Sequence, residues 1–274
     1  MNASLSLDFR FPDARSPDTM PVVAILAGGL ASRLHPLTAV TPKSMLMVAG
    51  EPFIAHQLRL LSRQDLRDVV ICGGHLVEQI QAFTGDGHRF GSRVRYSCDG
   101  PQLRGTGGAI RQALPLLGPR FFVLYGDSYL TAPFSPVLEA FAAADKPAMM
   151  TVLRNRGQWD ASNIEFTSGA IIRYDKRAAT TAMEHIDYGL SLFSAAIFVP
   201  SPESSAFDLS EVQQSLIAQR AMAAFEVKDR FYEIGSLSGL QQTDHFLRTS
   251  AAAQSHADTT QSAHTEVVIE NVPA

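Results

Sequence analysis

Four short apolar segments, at 22–26, 68–72, 93–97 and 121–124, alternate with helix-like stretches at about 51–63, 75–83 and 105–117. This alternation constrains the fold more than any other feature. Antiparallel strands can be joined by a two-residue turn, but parallel neighbours need a crossover of a dozen or more residues, usually a helix. The spacing therefore predicts an α/β fold: a mostly parallel central sheet with helices on both faces, joined by right-handed crossovers. Ligands in such sheets lie beyond the C-terminal ends of the strands. Past residue 134 the pattern predicts a helix over 136–145 and a strand at 147–154. A more β-rich run follows at 162–166, 170–175, 185–193 and 195–199, with a turn at Ser168-Gly169. It reads as a smaller inserted sheet. A helix at 209–220, a strand at 222–227 and a helix at 236–247 close the unit.

The first strand runs directly into Ala27-Gly28-Gly29-Leu30-Ala31-Ser32-Arg33, and Thr41-Pro42-Lys43 follows. Glycines without Cβ let main-chain N–H groups converge on an anion, and such nests favour phosphate. With Arg33 and Lys43 flanking it, the loop over Leu26, Ala27, Gly28 and Gly29 reads as a triphosphate grip. It matches neither G-x-x-x-x-G-K-[ST] nor G-x-G-x-x-G, so Walker and dinucleotide readings fail. A tight turn with two ordinary surface cations is the plain alternative.

Phe121 to Tyr125 reads as a strand ending in Gly126-Asp127, which sets a carboxylate at the sheet edge. Mg²⁺ takes oxygen ligands, commonly one or two carboxylates plus substrate phosphates, so Asp127 fits as a first ligand. Phe231-Tyr232-Glu233-Ile234-Gly235 repeats the grammar and nominates Glu233 as the second. Gly105-Thr106-Gly107-Gly108 opens a helix with small residues, where a nucleoside could lie against backbone. Asn163, Glu165, Tyr174, Asp175, Lys176, Asp187, Tyr188 and Gly189 gather hydrogen-bonding groups in the β-rich half. Such groups suit a carbohydrate, and Lys176 a phosphate, although each also reads as an exposed strand residue. His75 and His185 lack metal-ligand spacing. Trp159 reads as a packing anchor for the 155–162 loop.

The chain has 274 residues, a net charge of −4, 46% hydrophobic and 18% charged residues. That is globular, and it argues against a broad nucleic-acid-binding face. No apolar run approaches the ~20 residues of a membrane span. Cys72 and Cys98 lack CxxC spacing and read as buried free thiols; with no secretory signal read ahead of the core, a cytoplasmic protein is expected. Residues 1–20 and 249–274 read as flexible tails around one domain at 21–248. A homo-oligomer is compatible with the sequence.

In order, LAGGLASRLHPLT, TPKSMLMVAGEPFI, RGTGGAI, VLYGDSYL, YDKR, IDYGLSLF and FYEIGS resemble the sugar-1-phosphate nucleotidyltransferases over about 21–248. The resemblance implies a Rossmann-like nucleotidyltransferase sandwich and the reaction of a nucleoside triphosphate with a sugar 1-phosphate, giving a nucleotide sugar and pyrophosphate. It assigns Gly28 and Gly29 to nucleotide binding, Arg33 to the triphosphate and its transition state, and Lys43 to phosphate neutralisation. Asp127 and Glu233 would bind Mg²⁺, Gly105 to Gly108 the nucleoside, and Asn163, Lys176, Asp187 and Gly189 the sugar phosphate. Ala31 and Ser32 stand where many members carry Gly and Thr, and Glu233 where Asp is common. A glycosyltransferase of related architecture is a rival, weakened because the chain has no D-x-D. A non-catalytic sugar-nucleotide-binding regulatory protein is another. Molybdopterin-type transfer is disfavoured by the ten-residue Arg33–Lys43 interval.

Overall fold

A computed structural model describes residues 20–29, 34–100, 102–201, 206–250 and 252. Arg33 and most of the two expected tails lie outside these residues. Among the described residues one sheet holds nine strands: β1 (Val22–Leu26), β2 (Asp68–Gly73), β3 (Arg93–Cys98), β4 (Arg120–Tyr125), β5 (Ala148–Arg154), β6 (Ile164–Thr167), β7 (Ala170–Tyr174), β8 (His185–Ser194) and β9 (Met222–Val227). Its order is β7-β6-β8-β4-β1-β2-β3, with β5 paired to β8 and β9 to β5. β3, β2, β1 and β4 are parallel, as the helical crossovers require. β8 then runs antiparallel between β4 and β5, and β9 is parallel to β5.

The helices are α1 (Phe53–Arg63), α2 (Val77–Thr84), α3 (Gly105–Leu117), α4 (Ser135–Ala143) and α5 (Leu209–Ala218), and a terminal helix starts at 237. Because β1 is covered on both faces, it is apolar throughout rather than alternating. Val23 and Ile25 pack with Ile54, Leu58 and Leu61 of α1 and with α2 and α4; Val22 and Ala24 pack with Ile110, Ala113 and Leu117 of α3 and with α5. Burying each such Leu or Ile contributes about 1.5–3 kcal/mol.

Four expectations differ from the structure. The β-rich segment is not a separate inserted sheet: β6 joins β8 at the Ile164–His185 pair, so β6 and β7 extend the main sheet. The strand expected at 195–199 is a 3-10 turn, Ala195–Ile197. Its apolar residues are buried by turning off the sheet, with Phe198 packed on Phe121 and Phe193 at centroid separations of 6.0 and 5.4 Å. Helix α1 starts at Phe53 because Glu51–Pro52 first pairs with Met47–Val48. Of the cysteines, Cys72 is buried but Cys98 is only partly so.

A small antiparallel pair, Ser128–Leu130 with Phe231–Glu233, lies beside the C-terminal edge of the sheet. It sets Glu233 opposite Ser128 and so brings the two acids expected to bind metal to one place.

Candidate active site

A cavity of about 420 Å³ opens at the C-terminal ends of β1, β2, β3 and β4, lined by Gly28, Gly29, Lys43, Thr106, Asp127 and Lys176 among others. The main chain leaves β1 through Ala27, whose N–H donates to Cys72 O at 2.8 Å. Gly28 and Gly74 touch: a Cβ on Gly74 would lie 2.8 Å from Gly28 O, whereas one on Gly29 would meet nothing within 4 Å. Gly74 is thus needed for close packing, Gly28 is tight with a Cβ 3.1 Å from Gly74 N, and the space beside Gly29 is open.

The Gly-Asp turn is built by the same closeness. A Cβ on Gly126 would lie 2.6 Å from Leu26 O and 3.1 Å from Ala27 Cα, both backbone atoms that cannot swing away. Gln57 of α1, fully buried, donates through Nε2 to Tyr125 O at 2.9 Å and Ser128 O at 2.8 Å and so brackets the turn. Gly126→Ala is therefore expected to cost about 1–3 kcal/mol of folding stability. Denaturant unfolding checks it, and an unchanged midpoint would contradict the packing argument.

Lys43 and Asp127, far apart in sequence, form an ion pair, with Nζ 2.9 Å from Oδ2. The Asp127 carbonyl accepts from Ile234 N at 2.9 Å. Glu233 lies close by but does not line the main cavity. Its carboxylate accepts from Gly235 N and, at 2.6 Å, from Ser236 Oγ, at the entry to the terminal helix. A Cβ on Gly235 would meet Glu233 Oε2, Asp127 Oδ2 and Lys43 Nζ at 2.8, 3.5 and 3.6 Å, so glycine leaves an open cradle between the two acids. Hard oxygen donors around such a cradle fit Mg²⁺. Asp127 would supply the cavity-facing donor, and Glu233 would join by giving up its bonds to Gly235 and Ser236.

On the far side of Asp127, Lys176 lies 3.3 Å from the Tyr125 hydroxyl and 3.7 Å from Asp187 Oδ2. The Lys176 ammonium also stands over the Tyr125 ring, 4.7 Å from its centroid. Asp187, its side chain 2% exposed, accepts on Oδ2 from Tyr125 OH at 2.9 Å and Tyr174 OH at 3.0 Å. Its Oδ1 accepts from Gly189 N at 3.0 Å, and its own N–H donates to Asn163 Oδ1 at 3.0 Å. Burial works against the Lys176 charge, but Tyr125 and Asp187 outweigh it and push the amine up. Burial and the Asp187 charge likewise push the Tyr125 phenol up, so it stays protonated and donates.

Of the four residues expected at the sugar phosphate, only Lys176 lines the cavity. Asn163 and Asp187 stand behind it. Gly189 has φ +96° where the β5–β8 register shifts between Asp187 and Ser191, so it serves the backbone. Of the four residues expected at the nucleoside, Gly105 and Thr106 line the cavity, but Gly107 and Gly108 turn away and donate their N–H groups to Phe207 O at 2.9 and 3.2 Å. Glycine is needed at 107 because a Cβ would lie 2.4 Å from the Phe207 ring. Of the two histidines, His185 Nε2 is 3.1 Å from Glu226 Oε1, and His75 is exposed. Trp159 packs on the core, as expected, and carries the Arg230 guanidinium 5.3 Å above its ring.

Sequence reasoning missed Tyr125, Gln57, Asp99 and Asp208. A polar ring one residue before Gly126-Asp127 was the available signal for Tyr125; nothing local marked Gln57, which acts from another element.

A parallel sheet carrying a glycine loop, an acid after the fourth strand and a lysine beyond it at one edge is an α/β arrangement. The chain belongs to the nucleotidyl transferase family, whose model matches residues 22–249, and it resembles the sugar-1-phosphate enzymes of that family. It is 40% identical over 107 residues to N-acetylmuramate alpha-1-phosphate uridylyltransferase of Neisseria meningitidis, a match covering 39% of this chain and 46% of that one. It is 29% identical to CMP-5'-(3-aminopropyl)phosphonate synthase of Streptomyces rubellomurinus over 88% of this chain and 35% of that one. The matched segments thus span about half or less of these curated relatives. A crystal structure of a candidate glucose-1-phosphate thymidylyltransferase from Bacillus anthracis shares the fold, with a TM-score of 0.74 at 22% identity over 82% of this chain and 94% of that one. Among the described residues, no helix is long and apolar enough to cross a membrane.

Proposed function

We propose that the protein joins a nucleoside triphosphate to a sugar 1-phosphate, releasing pyrophosphate, by in-line attack of a sugar-phosphate oxygen on the α-phosphorus. The observation that carries this reading is one cavity holding the Gly29 backbone, the Lys43–Asp127 pair and Lys176. The attacking phosphate oxygen is already ionised near neutral pH, so no strong general base is needed. Catalysis then rests on holding two anions together and countering charge on the leaving pyrophosphate.

The Gly28-Gly29 loop binds the polyphosphate, Lys43 neutralises it, and Lys176 holds the nucleophile, its ammonium aimed by Tyr125 and Asp187. Mg²⁺ beside Asp127 would supply further positive charge to the phosphates. The family resemblance gives Arg33 the charge that develops in the transition state. Arg33→Ala is expected to lower turnover about 10²-fold, the scale of one lost charge-stabilising contact. A folded Arg33→Ala protein with wild-type turnover would remove that role.

The decisive experiment is a matrix of nucleoside triphosphates against sugar 1-phosphates with Mg²⁺, read as pyrophosphate release without any glycan acceptor. Release in at least one cell is expected. Tight nucleotide binding with no release in any cell would replace the enzyme by a regulatory binding protein.

A further inference from the structure

Asp99 is an acid that the proposed chemistry does not use. It follows β3 directly, its N–H tied to Gly73 O at 2.9 Å, and the residue is only 8% exposed. Asp99 lines the main cavity together with Cys72, Leu103 and Ala109. Asp99 Oδ2 accepts the Arg104 N–H at 3.2 Å, and among the described residues Oδ1 has no hydrogen-bond partner. Burial pushes the carboxyl up, opposed by the Arg104 N–H and its positive charge. Its neighbour Cys72 is a neutral thiol, pushed up to about 12 chiefly by burial. Asp208, the other acid at this end, is committed to capping α5 and lies 3.5 Å from Thr106 Oγ1. Asp99 thus presents a carboxyl oxygen without a described partner to this end of the cavity, beside the apolar Leu103 and Ala109.

Its position matches the length of a nucleotide. β3 is three strands from β4 in the sheet, so Asp99 and Asp127 are roughly 14 Å apart along the edge, with the glycine loop between them. A nucleotide whose phosphates reach Gly29, Lys43 and Asp127 would put its base against Leu103 and Asp99.

We propose that Asp99 reads the base, and that the base it selects is guanine. This rests on the nucleotidyltransferase reading above and specifies its donor substrate as a guanosine triphosphate. An ionised carboxylate only accepts hydrogen bonds. Guanine offers two adjacent donors, N1–H and the N2 amino group, and both point at such an acceptor. Uracil and thymine offer one N–H between two carbonyls, which would face the carboxylate lone pairs. Cytosine and adenine offer one amino group beside a bare ring nitrogen, which the second carboxylate oxygen would meet. Polar groups left unmatched in a buried site are what produce strong discrimination.

The test measures equilibrium binding of GTP, ITP, UTP, dTTP, CTP and ATP with Mg²⁺, in the absence of sugar phosphate, to the wild-type protein and to Asp99→Asn and Asp99→Glu. Catalytic specificity is measured alongside with the sugar 1-phosphate panel. Wild type is expected to bind GTP about 10²-fold more tightly than UTP or dTTP, and about tenfold more tightly than ITP, which lacks the amino group. Asp99→Asn, whose carboxamide adds a donor, should reduce the advantage over UTP about 10-fold or more, and Asp99→Glu should keep GTP first. Tighter binding of UTP, dTTP, CTP or ATP by wild type overturns the proposal, and so does equal binding of GTP and ITP. Because binding is read without turnover, a protein that prefers GTP but makes no nucleotide sugar would overturn only the catalytic reading. The GTP-to-ITP ratio decides the matter even if both variants fail to fold.

Discussion

Asp127→Asn is expected to lower pyrophosphate release about 10³-fold while leaving the protein folded, a loss on the scale of an absent charge in a preorganised site. The replacement is nearly isosteric, and the turn that carries it is held by backbone. Ile234 N–H donates to the carbonyl of residue 127, and Gln57 spans the turn from α1. What disappears is one negative charge from the group facing Lys43 and the cradle by Gly235. Release measured across a Mg²⁺ series checks it. Wild-type turnover with an unchanged metal dependence would leave Asp127 as a turn former only.

Asp187→Ala is expected to destabilise the fold by about 3 kcal/mol and to raise the KM for sugar 1-phosphate. Its carboxylate receives Tyr174 OH, Tyr125 OH and Gly189 N–H in the interior of the sheet. Alanine removes the acceptor and leaves buried donors without partners, each costing about 1–3 kcal/mol. The Tyr125 hydroxyl keeps Lys176 within reach, so the sum stays below three full penalties. Loosening Tyr125 also releases the ammonium it supports, which is why binding suffers together with stability. Chemical denaturation and steady-state kinetics read the two effects separately. A variant as stable as wild type would contradict the account of Asp187 as an internal anchor.

The parallel strands were legible because each is short, apolar on both faces and separated by a helical crossover, and periodicity carries that information. The course of 195–199 was not, since apolar residues are buried equally well by a turn as by a strand, and contacts with Phe121 and Phe193 decide between them. At the candidate site, Gly28, Gly29, Lys43, Asp127 and Lys176 could be picked out by chemical type and position, and the structure brings the described ones to one cavity. Asn163, Asp187 and Gly189 were picked out by type alone, and it is their backbone and hydrogen-bond geometry, absent from a linear string, that sets them behind Lys176. The glycine at 107 is opposite in kind: it looks like a ligand contact but is required because Phe207 crowds it, while Gly108 only donates its N–H to Phe207 O.

Glu233 grips the entry of the closing helix through Gly235 and Ser236 while lying next to the Lys43–Asp127 pair. Swinging that acid toward an incoming cation therefore means undoing the latch at the helix entrance. If Mg²⁺ is taken up there as proposed, its uptake would be mechanically geared to the setting of the last helix, and a probe attached along that helix would register it.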